Sequence, residues 1–109
     1  MAVRAMKRPA KVQGVEKAAQ GMRSLLDGAP GLRFVHRRLD AGSEVVLERC
    51  DDARRRLAVA RADRAPAAEE LATIGDAFGV PDGCEWGGSR RETVKGRSLF
   101  VCEVFWTER

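Results

Sequence analysis

Enzyme chemistry draws on a few side-chain types, and this sequence is poor in most of them. Histidine occurs once, at His36, and tyrosine and asparagine do not occur at all. Aromatic residues make up only 6% of the chain and fall mostly in apolar runs, which argues against a platform for stacking nucleobases. The three cysteines, Cys50, Cys84 and Cys102, are odd in number and widely spaced. A small secreted scaffold carries an even and denser set, so free thiols in a reducing compartment are expected. The apolar runs Leu99 to Cys102 and Val104 to Trp106 are short, far below the roughly 20 residues that span a bilayer. Met1 to Lys11 is basic, but no continuous apolar segment follows it as in a secretory signal. A cytoplasmic location without a membrane partner is expected.

The catalytic inventory is equally short. There is no nucleophile elbow, phosphate loop or paired metal-binding histidine motif to give His36 a role. Set beside Arg37 and Arg38, it reads as a surface or satisfied histidine. Cys50, Cys84, Cys102 and His36 add up nominally to a zinc set of three cysteines and one histidine. Structural zinc sites draw their ligands from close pairs, and no such pair exists, so neither metal nor cofactor is expected. Pro81-Asp82 followed by Glu92 to Lys95 resembles, in outline, the metal-dependent restriction-type nuclease signature. That chemistry needs the acid and the lysine two apart on a strand, and Glu92 and Lys95 would face opposite ways. Residues 70–81 resemble the closing helix of repressor-type helix-turn-helix domains, but the two preceding helices are missing. The expectation is a protein that is not an enzyme.

The chain does contain enough for one core: 109 residues, 44% of them hydrophobic. Its cations are 16 arginines against 4 lysines, alongside 16 alanines. That pattern reads as a GC-rich, bacterial coding bias, so arginine abundance alone is no sign of phosphate recognition. The net charge of +4 is unevenly spread: +5 over residues 1–26, +1 over 27–60, −4 over 61–85 and +2 over 86–109. Such a field can steer an encounter without naming the partner.

Periodicity and turn residues set out the elements. Residues 1–10 form a basic arm, and residues 11–109 a single domain. Val15, Ala19, Met22 and Leu26 recur at helical intervals, with Ala18 and Leu25 widening the stripe. Gly14, Ala18 and Gly21 make a small-residue ridge suited to close packing on a sheet. Leu32 to Leu39 and Glu44 to Cys50 flank a turn at Asp40-Ala41-Gly42-Ser43. Asp51-Asp52-Ala53 turns the chain into Arg54 to Ala62, where Leu57 and Val59 alternate with Arg56 and Ala58 as in a strand; its alanine and arginine content suits a helix equally well, and a strand is chosen because two turn-linked strands precede it. Pro66 suits the first turn of a second helix, Glu69 and Glu70 complement its dipole, and Leu71, Ile74 and Phe78 form its buried face. Gly79, Val80 and Pro81 end it through a left-handed cap. A last hairpin covers residues 86–94 and 97–107 around Lys95-Gly96, its second strand apolar on both faces and therefore either central or covered on both sides. The expected fold is α+β, a small antiparallel sheet of about five strands with two helices in the order α-β-β-β-α-β-β.

Function is then sought in the arginine clusters Arg37-Arg38, Arg54-Arg55-Arg56 and Arg90-Arg91, and in Trp86, which beside Gly87-Gly88 is the best exposed aromatic anchor. The first expectation is a non-catalytic protein that binds a protein or nucleoprotein partner as inhibitor or adaptor, in the manner of small bacterial mobile-element proteins. A homo-oligomer is compatible with it. The alternative is a sequence-nonspecific nucleic-acid binder that uses arginine clusters on a hairpin-rich sheet to meet phosphates.

Overall fold

The computed structural model describes residues 10–108, with side chains from residue 14 onward; all but one residue of the basic arm lies outside the described residues. The order is α1 (Ala10–Gly28), β1 (Phe34–Arg38), β2 (Glu44–Arg49), β3 (Arg54–Arg61), α2 (Ala68–Ala77), β4 (Arg90–Val94) and β5 (Arg97–Thr107). The five strands form one sheet in the order β1-β2-β3-β5-β4, and every neighbouring pair is antiparallel. This is the small α+β domain expected from the pattern, and the segment at 54–61 is a strand.

Local chemistry explains the turns. Asp51 Oδ1 accepts the backbone N–H groups of Ala53 and Arg54 at 2.9 and 2.7 Å, a side-chain turn that starts β3. Lys95 and Gly96 both have positive φ, 52° and 79°, the two-residue connection whose twist matches a hairpin. Gly79 has φ 78° and donates its N–H to Asp76 O, while Val80 N–H reaches Gly75 O. That is the six-to-one and five-to-two bonding of a Schellman end, as the Phe-Gly-Val-Pro sequence predicts. Pro66 lies one residue before the N-cap Ala67 and is buried, rather than in the first turn. Ala67 has no capping oxygen, so Glu70 supplies half of a capping box by accepting the Ala67 N–H at 3.3 Å.

Both helices cover one face of the sheet. From it project Val45 and Leu47 (β2), Leu57 and Val59 (β3), and Cys102, Val104 and Trp106 (β5). They meet Ala18, Ala19, Met22 and Leu26 of α1 and Leu71 and Ile74 of α2, with Phe78 fully buried at the end of α2. α1 has no glycine cap. Arg49 at the end of β2 takes one of its C-terminal carbonyls, that of Leu26, and those of Pro30 (3.2 Å) and Leu32 (2.8 Å) in the segment that follows. A guanidinium at a helix C-terminus also complements the dipole, so one side chain ties α1 to the sheet.

Three expectations are corrected. Leu25 points to solvent, because the stripe that packs is 15, 18, 19, 22 and 26 and Leu25 falls just outside it. The small-residue ridge is not used: a side chain at Gly14 or Gly21 would meet nothing within 4 Å. The last hairpin starts at Arg90, since Trp86 turns inward onto α2 and draws the chain before Arg90 off the strand path.

Two substitutions test this packing by denaturant or thermal unfolding. Phe78→Ala should destabilise the domain by about 3–5 kcal/mol, as for a fully enclosed aromatic. Gly21→Ala should instead stabilise it by roughly 0.5–1 kcal/mol, because helix propensity improves with nothing to clash. The reverse order of effects would mean that α1 presents its other side to the sheet.

Candidate functional site

Consecutive residues of a strand point to opposite faces, so each arginine cluster is divided by the sheet. Register places Arg38, Arg54, Arg56 and Arg90 on the face without helices, and Arg37, Arg55 and Arg91 on the helix side. The clusters expected to act together therefore do not form one surface.

On the helix side the three arginines serve separate ends. Arg55 is buried and donates to the carbonyls of Asp51, Asp52 and Arg54 at 3.1–3.2 Å, closing the β2–β3 turn. Arg91 lies 4.9 Å from the Phe100 ring centre and donates to Ser98 Oγ at 2.9 Å. Arg37 is exposed on β1, at the opposite edge of the sheet from Arg91 on β4. Trp86 is also displaced from its expected role. It is half-buried against the core, and a Cβ on Gly75 would lie 3.5 Å from its Cζ2. It closes the fold over α2, so Trp86→Ala would act on stability before binding.

Among the described residues nothing covers the other face of the sheet, the open face. Down its middle runs an apolar strip of Val46, Ala58, Ala60, Leu99 and Val101. Phe34 and Phe105, 55% and 41% exposed, share one cross-strand row at one end, and Val94, 42% exposed, stands at the other. Cross-strand ion pairs border and roof the strip. Glu44 accepts from His36 Nε2 at 3.0 Å, from Arg38 at 3.3 Å and from Arg97. Glu103 Oε1 accepts from Arg56 Nε at 3.0 Å and Arg90 Nη2 at 3.1 Å. Arg56 also reaches Glu48 at 3.3 Å, and Arg90 reaches Glu92 at 2.6 Å. Arg54 has no carboxylate partner among the described residues and stacks over Phe105 at 5.3 Å. Glu44, Glu48 and Glu103 were not singled out from the sequence. Their only trace there is opposite charges at positions that become neighbours once register is known.

The electrostatics follow the geometry. The Arg97 hydrogen bond holds Glu44 well below its ordinary range, at about 2, against its own burial and with help from His36 and Arg38. Burial alone would raise Glu103, but its bonds from Arg90 and Arg56 outweigh that and lower it. These carboxylates are ionised bases with their lone pairs engaged, unsuited to taking a proton from a substrate.

A groove of about 740 Å3 between the helices was the other place to look for chemistry; Val15, Leu39, Ala72 and Ile74 are among its walls. Its polar floor is Ser43, Arg61 and Glu70. Arg61 grips Asp63 through two bonds of 2.9 and 3.1 Å and donates to Glu70 at 2.8 Å, Ser43 Oγ at 3.0 Å and Ala41 O at 3.2 Å. Glu70 also accepts from Ser43, Arg64 and the Ala67 N–H. Arg61, Ser43 and Glu70 are thus engaged with one another and with Asp63, Arg64 and backbone groups. The nominal zinc set does not converge either. His36 is on the open face and Cys102 is buried on the helix side, and no group of three or more metal-ligating residues gathers among the described residues. The described cysteines are all free, and burial pushes the Cys50 and Cys102 thiols up, away from nucleophilic use. No described helix is long and apolar enough to cross a membrane.

No known family, characterised protein or solved structure matches the chain.

The ion-pair lattice makes a pH prediction. Glu44, Glu70 and Glu103 all have depressed values in the fold, so the unfolded chain binds protons first as acid is added. Their contribution is complete above the ordinary glutamate value of 4.5 and is lost as pH falls towards about 2. The denaturation midpoint should therefore fall steadily below pH 4.5, and Glu44→Gln should flatten that fall. A midpoint constant from about pH 6 to about pH 3 would show that these pairs add nothing to stability.

Proposed function

We propose that the chain is a non-catalytic protein-binding module, an adaptor or inhibitor by mode of action, that docks through the open face of its sheet. One observation carries this reading. The guanidinium groups of Arg38, Arg56, Arg90 and Arg97 are already paired with carboxylates around an apolar strip. A phosphate-binding face needs uncommitted cations, because its affinity comes from replacing the counterions of the nucleic acid. An arginine bound to glutamate can meet a phosphate only by giving up that partner. A protein surface asks for something else: apolar area at the centre and satisfied polar groups around it. Phe34, Phe105 and Val94 supply the exposed apolar area, and the ion-pair rows supply the rim.

The nucleic-acid alternative would rest on Arg37, Arg54 and Arg91, which have no carboxylate partner among the described residues. They lie on two faces, with Arg37 and Arg91 at opposite edges of the sheet, and do not track one phosphate backbone.

Fluorescence anisotropy on random duplex DNA and single-stranded RNA tests the choice. At physiological salt, no binding tighter than about 10⁻⁵ M is expected, and Arg56→Ala should leave the weak residual unchanged. Submicromolar binding that falls steeply with salt and weakens with Arg56→Ala would transfer the open face to nucleic acid.

A further inference from the structure

We infer that the protein partner of the open face is a second copy of this chain, two sheets packing face to face about a twofold axis. This rests on the reading of that face as a protein-binding surface.

Charge is the first argument. The whole chain carries +4, which opposes self-association. The open face does not share that imbalance: Arg38, Arg54, Arg56, Arg90 and Arg97 stand against Glu44, Glu48, Glu92 and Glu103. Its signs are interleaved rather than segregated, so an identical face can present glutamate to arginine and arginine to glutamate. A strongly acidic or basic partner would find no net charge to match. A twofold interface uses the same patch twice, and this patch meets that requirement.

Shape is the second. At the centre of the face Ala58, Leu99 and Val101 are already buried in the single chain, while the exposed large apolar side chains, Phe34, Phe105 and Val94, stand at its ends, so apolar contact between two copies falls to those ends. With the axis running across the strands, the Phe34 and Phe105 end of each copy lies over the Val94 and Leu99 end of the other. The same operation brings Arg54, which lacks a carboxylate of its own, towards the end that carries Glu92.

Area is the third. Five strands at about 4.8 Å spacing, paired over five to eight residues of about 3.4 Å, give a face on the order of 500 Å2. Two copies bury about 1,000 Å2, the lower bound for a specific interface, which points to a dimer in the micromolar range rather than an obligate one.

Sedimentation equilibrium of the full chain, from low micromolar to submillimolar concentration, tests this directly. The wild type should fit a monomer–dimer equilibrium. Phe34→Glu and Phe105→Glu, both at exposed positions, should each raise the dissociation constant at least tenfold, about 1.4 kcal/mol. Unchanged thermal midpoints would show that both variants fold. A chain that stays monomeric throughout, or a dimer that persists in the folded Phe34→Glu, Phe105→Glu double variant, overturns the inference. A photo-crosslinking residue at position 34 in producing cells then separates the two levels. Adducts to a different protein from a monomeric chain sink the second copy and leave the protein-binding face. No adduct, together with tight salt-sensitive DNA binding, sinks both.

Discussion

The Arg61 guanidinium joins three parts of the chain that are remote in sequence. It leaves the end of β3, reaches Ser43 and the Ala41 carbonyl in the β1–β2 turn, and binds Glu70 in the first turn of α2. Ser43 is fully buried and Arg61 nearly so, so these groups give up water and must satisfy one another. A buried ion pair of this kind is weak evidence for added stability, because desolvation offsets the attraction. Removing one partner is another matter: it strands a buried charge, on the order of 3–5 kcal/mol. The observed placement of α2 on the sheet lets all three segments meet. That placement sets Phe78 in the core and brings Gly75 under Trp86.

Arg49 does for α1 what Arg61 does for α2, drawing the end of the helix onto the sheet through backbone carbonyls. Arg55 does it for a turn. Much of the arginine content is thus structural, with the planar fork answering several acceptors at once. It follows that counting arginines overstates what the surface can offer a polyanion. Both helices are held to one side, and 19 residues of α1 and 10 of α2 leave nothing described to cover the other.

The elements were legible in the sequence because their causes are local. The spacing of Val15, Ala19, Met22 and Leu26, the Asp51 turn, the Lys95-Gly96 hairpin and the Gly79 end each need only a few consecutive residues. Central placement of β5 was legible as one of two readings for the same reason, since both of its faces are apolar. The site was not. Whether Arg56 is free or bound depends on Glu48 and Glu103, far apart in the chain and adjacent only once β2, β3 and β5 are in register. A tandem of arginines reads as a cluster on paper and alternates in a strand. Trp86 was misplaced for a similar reason: its neighbours Gly87 and Gly88 suggest an exposed loop, whereas it packs against a core assembled from residues remote in the chain.

The open face is best understood as a compromise between exposure and pairing. An uncovered sheet with an apolar centre invites indiscriminate association. Here long arginine and glutamate side chains arch over that centre and bind each other, so Ala58, Leu99 and Val101 are nearly inaccessible in the single chain. The roof keeps the centre from attracting any apolar surface that passes. It also sets a condition on whatever docks, because a partner must leave those ion pairs intact or replace each one that it displaces. Phosphate answers only the arginines and leaves the buried Glu44 and the half-buried Glu103 without partners. A surface that brings both charges, along with apolar side chains to meet Phe34, Phe105 and Val94, answers the whole face.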